Sequence, residues 1–292
     1  MSEPTPRPTL VTGCSSGIGR AIALRLAREA WPVYASARRI EAIADLAEQG
    51  CQLLSLDVTD ADSRRAAIEA IETNHGALGG LVNNAGFGQQ GPLEEMPLSV
   101  IRAQFETNVF AALALCQRAL PGMRRQRNGR IVNLSSMGGR LSFPGGAAYH
   151  GSKYALEAMT DVLRFEVSGF GIGVVIIEPG PTTTDFGIAS VRSLDALPRP
   201  ADSPYDSFRA GIRRALESTF ESPSPGASTP EDVAEAVWTA LSAHDPEPRV
   251  IVGETARRLI ALKDGGTARD WDAVVAGMYP RPGDARRDEE DR

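Results

Sequence analysis

TLVTGCSSGIG, residues Thr9 to Gly19, is a short apolar strand that breaks into a glycine-rich turn and reopens as a helix with apolar residues on one face. Each glycine has a physical reason there. Gly13 permits the tight strand-to-helix turn, Gly17 lets backbone approach a diphosphate, and Gly19 allows the helix to pack close to the strand. The helix that starts here offers free N–H groups and the positive end of its dipole to an anion. Gly13, Ser15, Ser16, Gly17, Ile18 and Gly19 are therefore the candidate cradle for a dinucleotide diphosphate.

Outward from this turn, strands and helices alternate. Strands are expected at Thr9 to Thr12, Val33 to Ala37, Leu53 to Leu56, Leu81-Val82, Ile131 to Leu134 and Val174 to Ile177, with an edge strand at Arg249 to Val252. Helices are expected over Ile18 to Glu29, Glu41 to Gln49, from about Asp60, from Pro97 to about Arg127, and over Ala148 to Gly169. Thr229 is the candidate cap of a further helix, with Pro230 at its first position. Such alternation implies right-handed βαβ units, hence an α/β fold with a doubly wound parallel sheet of the Rossmann type.

Residues 8–253 read as one such domain. Within it, residues 185–228 carry Pro198, Pro200, Pro204, Pro223 and Pro225 among Ser, Gly and charged residues, and read as a long irregular insertion. Phe208, Ile212, Leu216 and Phe220 nevertheless have helical spacing. Loops of this length are usually functional or disordered, and this one is expected to act as a lid over a substrate. Residues 254–292 form a C-terminal extension made of an amphipathic helix, ETARRLIALKDG, and a charged tail, ARRDEEDR.

The second strand selects the dinucleotide. A site for NAD usually carries Asp or Glu there to accept from the ribose hydroxyls. This strand ends Ala35-Ser36-Ala37-Arg38-Arg39, with no carboxylate. An arginine fork grips a 2′-phosphate bidentately, and Ser15 offers a further donor, so NADP(H) is the expected cofactor. The structural alternative is that Arg38 and Arg39 only cap a solvated loop.

Tyr149 and Lys153, in AAYHGSKYALEAM, stand four apart and so share one face of a helix. A free phenol titrates near about 10; a neighbouring ammonium favours the phenolate and is expected to lower that value toward the working range of a general acid/base. Ser136 follows the strand Ile131 to Leu134 and so emerges at its carboxyl end, where ligands of open α/β sheets bind. Asn108 lies in FETNVFAALAL, inside a helical segment, where its amide either satisfies a neighbouring carbonyl or holds a water in line with Lys153.

In this order and spacing the motifs resemble those of the short-chain dehydrogenase/reductase family, from about Pro8 to about Val252. TGCSSGIG resembles its T-G-x-x-x-G-x-G turn, and Asn83-Asn84-Ala85-Gly86 its N-N-A-G segment. Asn108, Ser136, Tyr149 and Lys153 match the catalytic tetrad, and Pro179-Gly180 with Thr184 matches the P-G-x-x-x-T stretch against the nicotinamide end. The finer pattern is most similar to hydroxysteroid and retinol dehydrogenases. The resemblance implies an oxidoreductase interconverting a ketone or aldehyde and the corresponding alcohol by hydride transfer, with Tyr149 as proton donor or acceptor. Asn84, Ala85, Gly86, Tyr149, Lys153, Pro179, Gly180, Thr182 and Thr184 would then complete the cofactor site. Asp57-Val58 resembles the family's adenine-contacting pair, although Asp57 suits a turn or cap equally well. The family commonly forms homodimers or homotetramers.

An NAD-dependent alcohol dehydrogenase would call for a carboxylate after the second strand, where Arg38 stands. A non-catalytic NADP-binding sensor would be expected to have lost part of the tetrad, which is complete.

At 292 residues with 42% hydrophobic content, the chain supports one large core. A net charge of −6 with dispersed Lys and Arg argues against a nucleic-acid partner. The longest apolar run, Val109 to Cys116, is far short of the ~18 to 20 residues of a membrane span. Cys14, Cys51 and Cys116 are read as free thiols of a reducing cytoplasm, the N-terminal MSEPTPRPTL lacks an export signal's apolar core, and three dispersed histidines give no metal-site spacing. His150 is set aside because a helical neighbour of Tyr149 points about 100° away. His75 and His244 read as surface residues and the Trp238 region as core. Phe87, Gly88, Phe143 and Phe186 are candidate walls of a hydrophobic substrate pocket.

Overall fold

The computed structural model describes residues 6–220 and 226–279. Seven strands form one parallel sheet: β1 (Thr9–Val11), β2 (Val33–Ala37), β3 (Gln52–Ser55), β4 (Gly80–Asn83), β5 (Gly129–Leu134), β6 (Ile172–Pro179) and β7 (Arg249–Val252). Their spatial order is β3-β2-β1-β4-β5-β6-β7. The chain reverses its winding between β1 and β4, and the crevice outside the carboxyl ends of the strands there is the natural ligand position.

Side-chain alternation explains why both faces are covered. Val11, Val82, Val132 and Ile177 point to one face, where α1 (Gly17–Arg28) and α8 (Pro230–Ser242) contribute Ile22, Leu26, Val233 and Val237. The preceding residues Leu10, Leu81 and Ile131 point to the other face, against Ile71 of α2 (Ala61–His75) and Leu115 and Met123 from the helix after residue 110. Trp238 packs edge-on to Trp31 at 5.2 Å, as core reading of that region anticipates.

Four expectations are corrected. The single helix expected from Pro97 is three segments, α3 (Leu98–Phe105), a π-helical turn over Glu106–Phe110, and α4 (Ala111–Gln126). The π turn inserts a residue at Asn108, whose amide bonds away from the helix, and π turns frequently mark functional positions. Glu41 to Gln49 is not an α-helix but a 3₁₀ segment over Ile40–Leu46. The insertion is mostly helical: α7 (Asp206–Phe220) falls on the helical spacing of Phe208, Ile212, Leu216 and Phe220, while α6 (Phe186–Asp195), which comes after the long α5 (Ala147–Val167) and β6, departs from the irregular reading. Its prolines Pro198, Pro200 and Pro204 fall between these two helices, where they punctuate rather than prevent helix. Finally, the extension holds two helices, α9 (Glu254–Asp264) and α10 (Ala268–Met278), the second opened by a capping box between Thr267 and Asp270. Residues Met1 to Thr5, Pro223, Pro225 and the tail ARRDEEDR lie outside the described residues.

Candidate active site

The glycine turn fits a dinucleotide diphosphate. Gly13 has φ +75° and Gly17 φ +54°, left-handed values that favour glycine. Ser16 is the N-cap of α1 but its side chain makes no cap bond, so the first N–H groups of the helix face outward beside the exposed Ser15 and Ser16. Ile18 packs against the core at the start of the helix.

Asn84 ties the N-N-A-G loop to this turn. Its Nδ2 donates to the carbonyl of Thr12 at 2.8 Å, while the Thr12 hydroxyl accepts from the backbone N–H groups of Asn84 and Ala85 at 3.0 Å each. A Cβ at Gly19 would stand 2.3 Å from both Asn84 Nδ2 and the Gly13 carbonyl oxygen. Gly19→Ala should therefore lower the melting temperature, by an overpacking cost of roughly 1–3 kcal/mol. A thermal melt at wild-type temperature would show the contact to be slack.

Asn108 holds the other side of that loop. Its Oδ1 accepts from Phe87 N–H at 3.1 Å, and its Nδ2 donates to the Phe87 carbonyl at 3.0 Å and to the Ser152 hydroxyl at 3.2 Å. These bonds satisfy the Phe87 backbone and the Ser152 hydroxyl. Gly86 lies against it, with a Cβ position 3.0 Å from Asn108 Oδ1.

Ser136, Tyr149 and Lys153 converge at the carboxyl end of β5. The Ser136 hydroxyl accepts from Gly138 N–H at 3.0 Å and lies 3.4 Å from the Pro179 carbonyl. Lys153 is buried, donates to the Leu134 carbonyl at 2.7 Å, and places its ammonium 5.9 Å from the Tyr149 ring centre. Burial brings Lys153 down to about 8, with Glu157 opposing. Burial likewise pushes the Tyr149 phenol above its ordinary range, with Ser136 pulling it back. This direction is opposite to the depression expected from Lys153, because removal of the phenolate from water outweighs its favourable neighbours.

Around the cofactor end, Thr184 comes within 3.3 Å of the Cβ position of Gly17, joining the P-G-x-x-x-T stretch to the glycine turn. Gly180 follows the buried Pro179 and packs under Ala256 of α9. Thr182 is buried with its hydroxyl 3.0 Å from that of Ser228, so it fixes the chain's return to residue 228. Arg38 and Arg39 are exposed directly after β2, and the Ser36 carbonyl accepts from the Cys14 N–H of the glycine turn at 2.8 Å, which seats them beside it. Val58 is partly buried; Asp57 accepts from Thr59 through both backbone and hydroxyl, at 2.9 and 2.7 Å, a turn role.

Of the candidate pocket walls, Phe186, Gly88 and Phe143 lie near Tyr149, whereas the contacts of His150, Glu95, Arg209, Gln89 and Gln90 carry no signal in the sequence. Phe186 stacks 5.5 Å from Tyr149 and 5.8 Å from Phe220, and its ring fills the space a side chain at Gly88 would need. Phe143 joins Trp271 of α10 at 5.5 Å to His150 at 5.8 Å. His150, set aside earlier, lies against the Tyr149 ring at 5.5 Å with its Nδ1 3.1 Å from the Gly138 carbonyl, so it buttresses the Ser136 loop. Arg209 of α7 pairs with Glu95 through Nη2 at 2.6 Å and Nε at 3.0 Å, both side chains nearly buried, and Gln89 and Gln90 bond Ser193 of α6. Glu95 and Arg209 lie over a hundred residues apart, with no shared motif to pair them.

These elements together define a nucleotide-dependent oxidoreductase fold with a tyrosine–lysine site. The family model for short chain dehydrogenases matches residues 7–194. The chain is 43% identical over 272 residues to the uncharacterised oxidoreductase YbbO of Escherichia coli (strain K12), covering 93% of this chain and 94% of that protein. It is 35% identical to mouse 17-beta-hydroxysteroid dehydrogenase type 1, covering 94% and 81%. Among solved structures, a short-chain dehydrogenase from Streptomyces avermitilis aligns with a TM-score of 0.76 at 33% identity, covering 94% of this chain and 99% of that one. The closed form of a serine dehydrogenase complexed with NADP+ aligns with a TM-score of 0.72 at 26% identity, covering 85% and 94%. The chain belongs to the short-chain dehydrogenase family.

Among the described residues, no helix is long and apolar enough to cross a membrane. None of their His, Cys, Asp and Glu side chains group as a metal site. The three cysteines are free and buried, and burial pushes the Cys14 and Cys116 thiols up to about 12.

Proposed function

We propose that the protein is an NADP(H)-dependent reductase of hydrophobic ketones or aldehydes, reversible to alcohol oxidation. The observation that carries this reading is the convergence of Ser136, Tyr149 and Lys153 beside a glycine turn whose neighbouring strand ends in Arg38 and Arg39. The bound nicotinamide supplies the hydride in reduction and takes it in oxidation. Ser136 and Tyr149 bond the substrate oxygen, and Tyr149 gives it a proton as charge develops there. Lys153 stands with its ammonium 5.9 Å from the phenol ring, where it favours the phenolate as charge moves off the proton, and the Ser136 hydroxyl pulls back the burial that raises the phenol. Asn108 orders the Phe87 loop that follows Asn84-Ala85-Gly86, the stretch that would hold the cofactor. The NADP+ bound to the serine dehydrogenase relative, and the steroid ketone chemistry named by the mouse relative, support the cofactor and the substrate class.

α6 and α7 act as the lid. They are held to the loop after β4 by the Arg209–Glu95 pair and by Ser193, and they bring Phe186 onto Tyr149. Amide hydrogen exchange with NADPH and a substrate analogue should show added protection across residues 186–220. Equal exchange with and without ligands, or cleavage of the lid without loss of turnover, would rule it out.

A further inference from the structure

Behind Lys153 lies a buried carboxylate cluster that the proposed reaction does not use. Glu157 is one turn further along α5, on the same face, and is only 5% exposed. Glu178 of β6 is fully buried. Arg249 of β7 reaches both carboxylates, and its Nη2 also bonds Asp161 of α5 at 2.7 and 2.8 Å. Arg140, in the loop after β5, stands 3.7 Å from Glu178 but is bound to Asp264 of α9 at 2.8 Å. Arg164 also pairs with Asp161 at 2.9 Å, so four carboxylates, Glu157, Glu178, Asp161 and Asp264, face three guanidiniums, Arg249, Arg164 and Arg140. One negative charge is left over, and Lys153 stands one turn from Glu157 on the same face of α5.

The geometry points to Glu157, buried one turn along α5 from the buried Lys153, as a positioning residue that holds the Lys153 ammonium in its charged form. This rests on the tyrosine–lysine reading of the site. Groups facing Lys153 are the Leu134 carbonyl from β5, and Tyr149 and Glu157 on its own helix. Those facing Glu157 are Ser135 just after β5, Glu178 from β6 and Arg249 from β7, which is itself bound to Asp161 on α5. Packing is tight: a Cβ at Gly139 would stand 2.7 Å from Ser135 Oγ and 2.8 Å from Glu157 Cγ, so no larger residue separates the serine from the acid. Burial pushes Glu157 itself up, and Glu178 adds to this, while Ser135 and Arg249 pull it back. Arg249 thus favours the ionised form of Glu157 against burial and Glu178.

The chain offers a clean measurement, because Lys153 and Lys263 are its two lysines. In the full chain labelled with ¹³Cε-lysine, each gives one signal to titrate, with Lys263 on α9 as internal control. Glu157→Gln should lower the Lys153 midpoint by about one pH unit or more, leave Lys263 in place, and move the alkaline limb of kcat/KM to lower pH by the same amount. Glu157→Asp, which retains the charge, should recover most of the shift. An unmoved Lys153 midpoint in folded Glu157→Gln, or equal displacement of both lysines, would overturn the proposal. Should that variant not fold, the wild type still decides. As pH falls through the Glu157 range, the Lys153 signal alone should show a second inflection, and its absence would overturn the proposal. The lysine titration needs no turnover, so its failure is separable from failure of the site reading, which a fully active Tyr149→Phe would reveal.

Discussion

Tyr149→Phe should fold, bind the dinucleotide and lose turnover. The substitution removes one hydroxyl from a partly buried ring held between Phe186 and His150, each 5.5 Å away, so packing is retained. What is lost is the group placed to exchange a proton with the substrate oxygen. General acid/base catalysis contributes typically ~10²- to 10⁴-fold, or roughly 3 to 5 kcal/mol of barrier. Steady-state kcat, with a melting curve and a cofactor titration beside it, checks the expectation. Near-normal kcat in a folded variant would remove Tyr149 from the mechanism.

Arg38→Asp should reverse the cofactor preference. Wild type should favour NADPH, since hydrogen bonds to charged groups are worth about 1.5 to 3 kcal/mol each and losing one or two weakens binding by on the order of 10- to 10³-fold. Aspartate at this position repels a 2′-phosphate and offers the ribose hydroxyls an acceptor. Arg38 is exposed immediately after β2, so the change disturbs no core contact. The ratio of kcat/KM for the two cofactors, in wild type and variant, is the readout. An unchanged ratio would leave Arg38 as a loop residue.

The alternation of short apolar runs with helices made the sheet legible, and the glycine turn fixed where its ligand side must be. The nearness of Ser136, Tyr149 and Lys153 is legible for a different reason: Tyr149 and Lys153 are local on one helix, and Ser136 follows an apolar strand. What was not legible depends on contacts between distant segments. Asn108 lies in a π turn because its amide bonds Phe87, which helix propensity alone does not report. α6 is obscured in the sequence by the prolines of the connection that follows it, Pro198, Pro200 and Pro204. His150 was dismissed on its angle from Tyr149, yet Gly138 leaves room for the imidazole to fold back beside the tyrosine ring. The raised phenol reflects the same limit, because the burial that opposes Lys153 comes from packing the sequence does not spell out.

The account is tested most directly by following nicotinamide absorbance when the wild-type protein meets a panel of hydrophobic ketones, aldehydes and alcohols with each cofactor. It predicts carbonyl-dependent loss of NADPH absorbance for at least one hydrophobic carbonyl, alcohol-dependent gain with NADP+, and much weaker rates with NADH. Turnover with NADH alone would contradict the cofactor assignment, and a bound cofactor that no carbonyl or alcohol ever oxidises or reduces would contradict the central claim that this site transfers hydride.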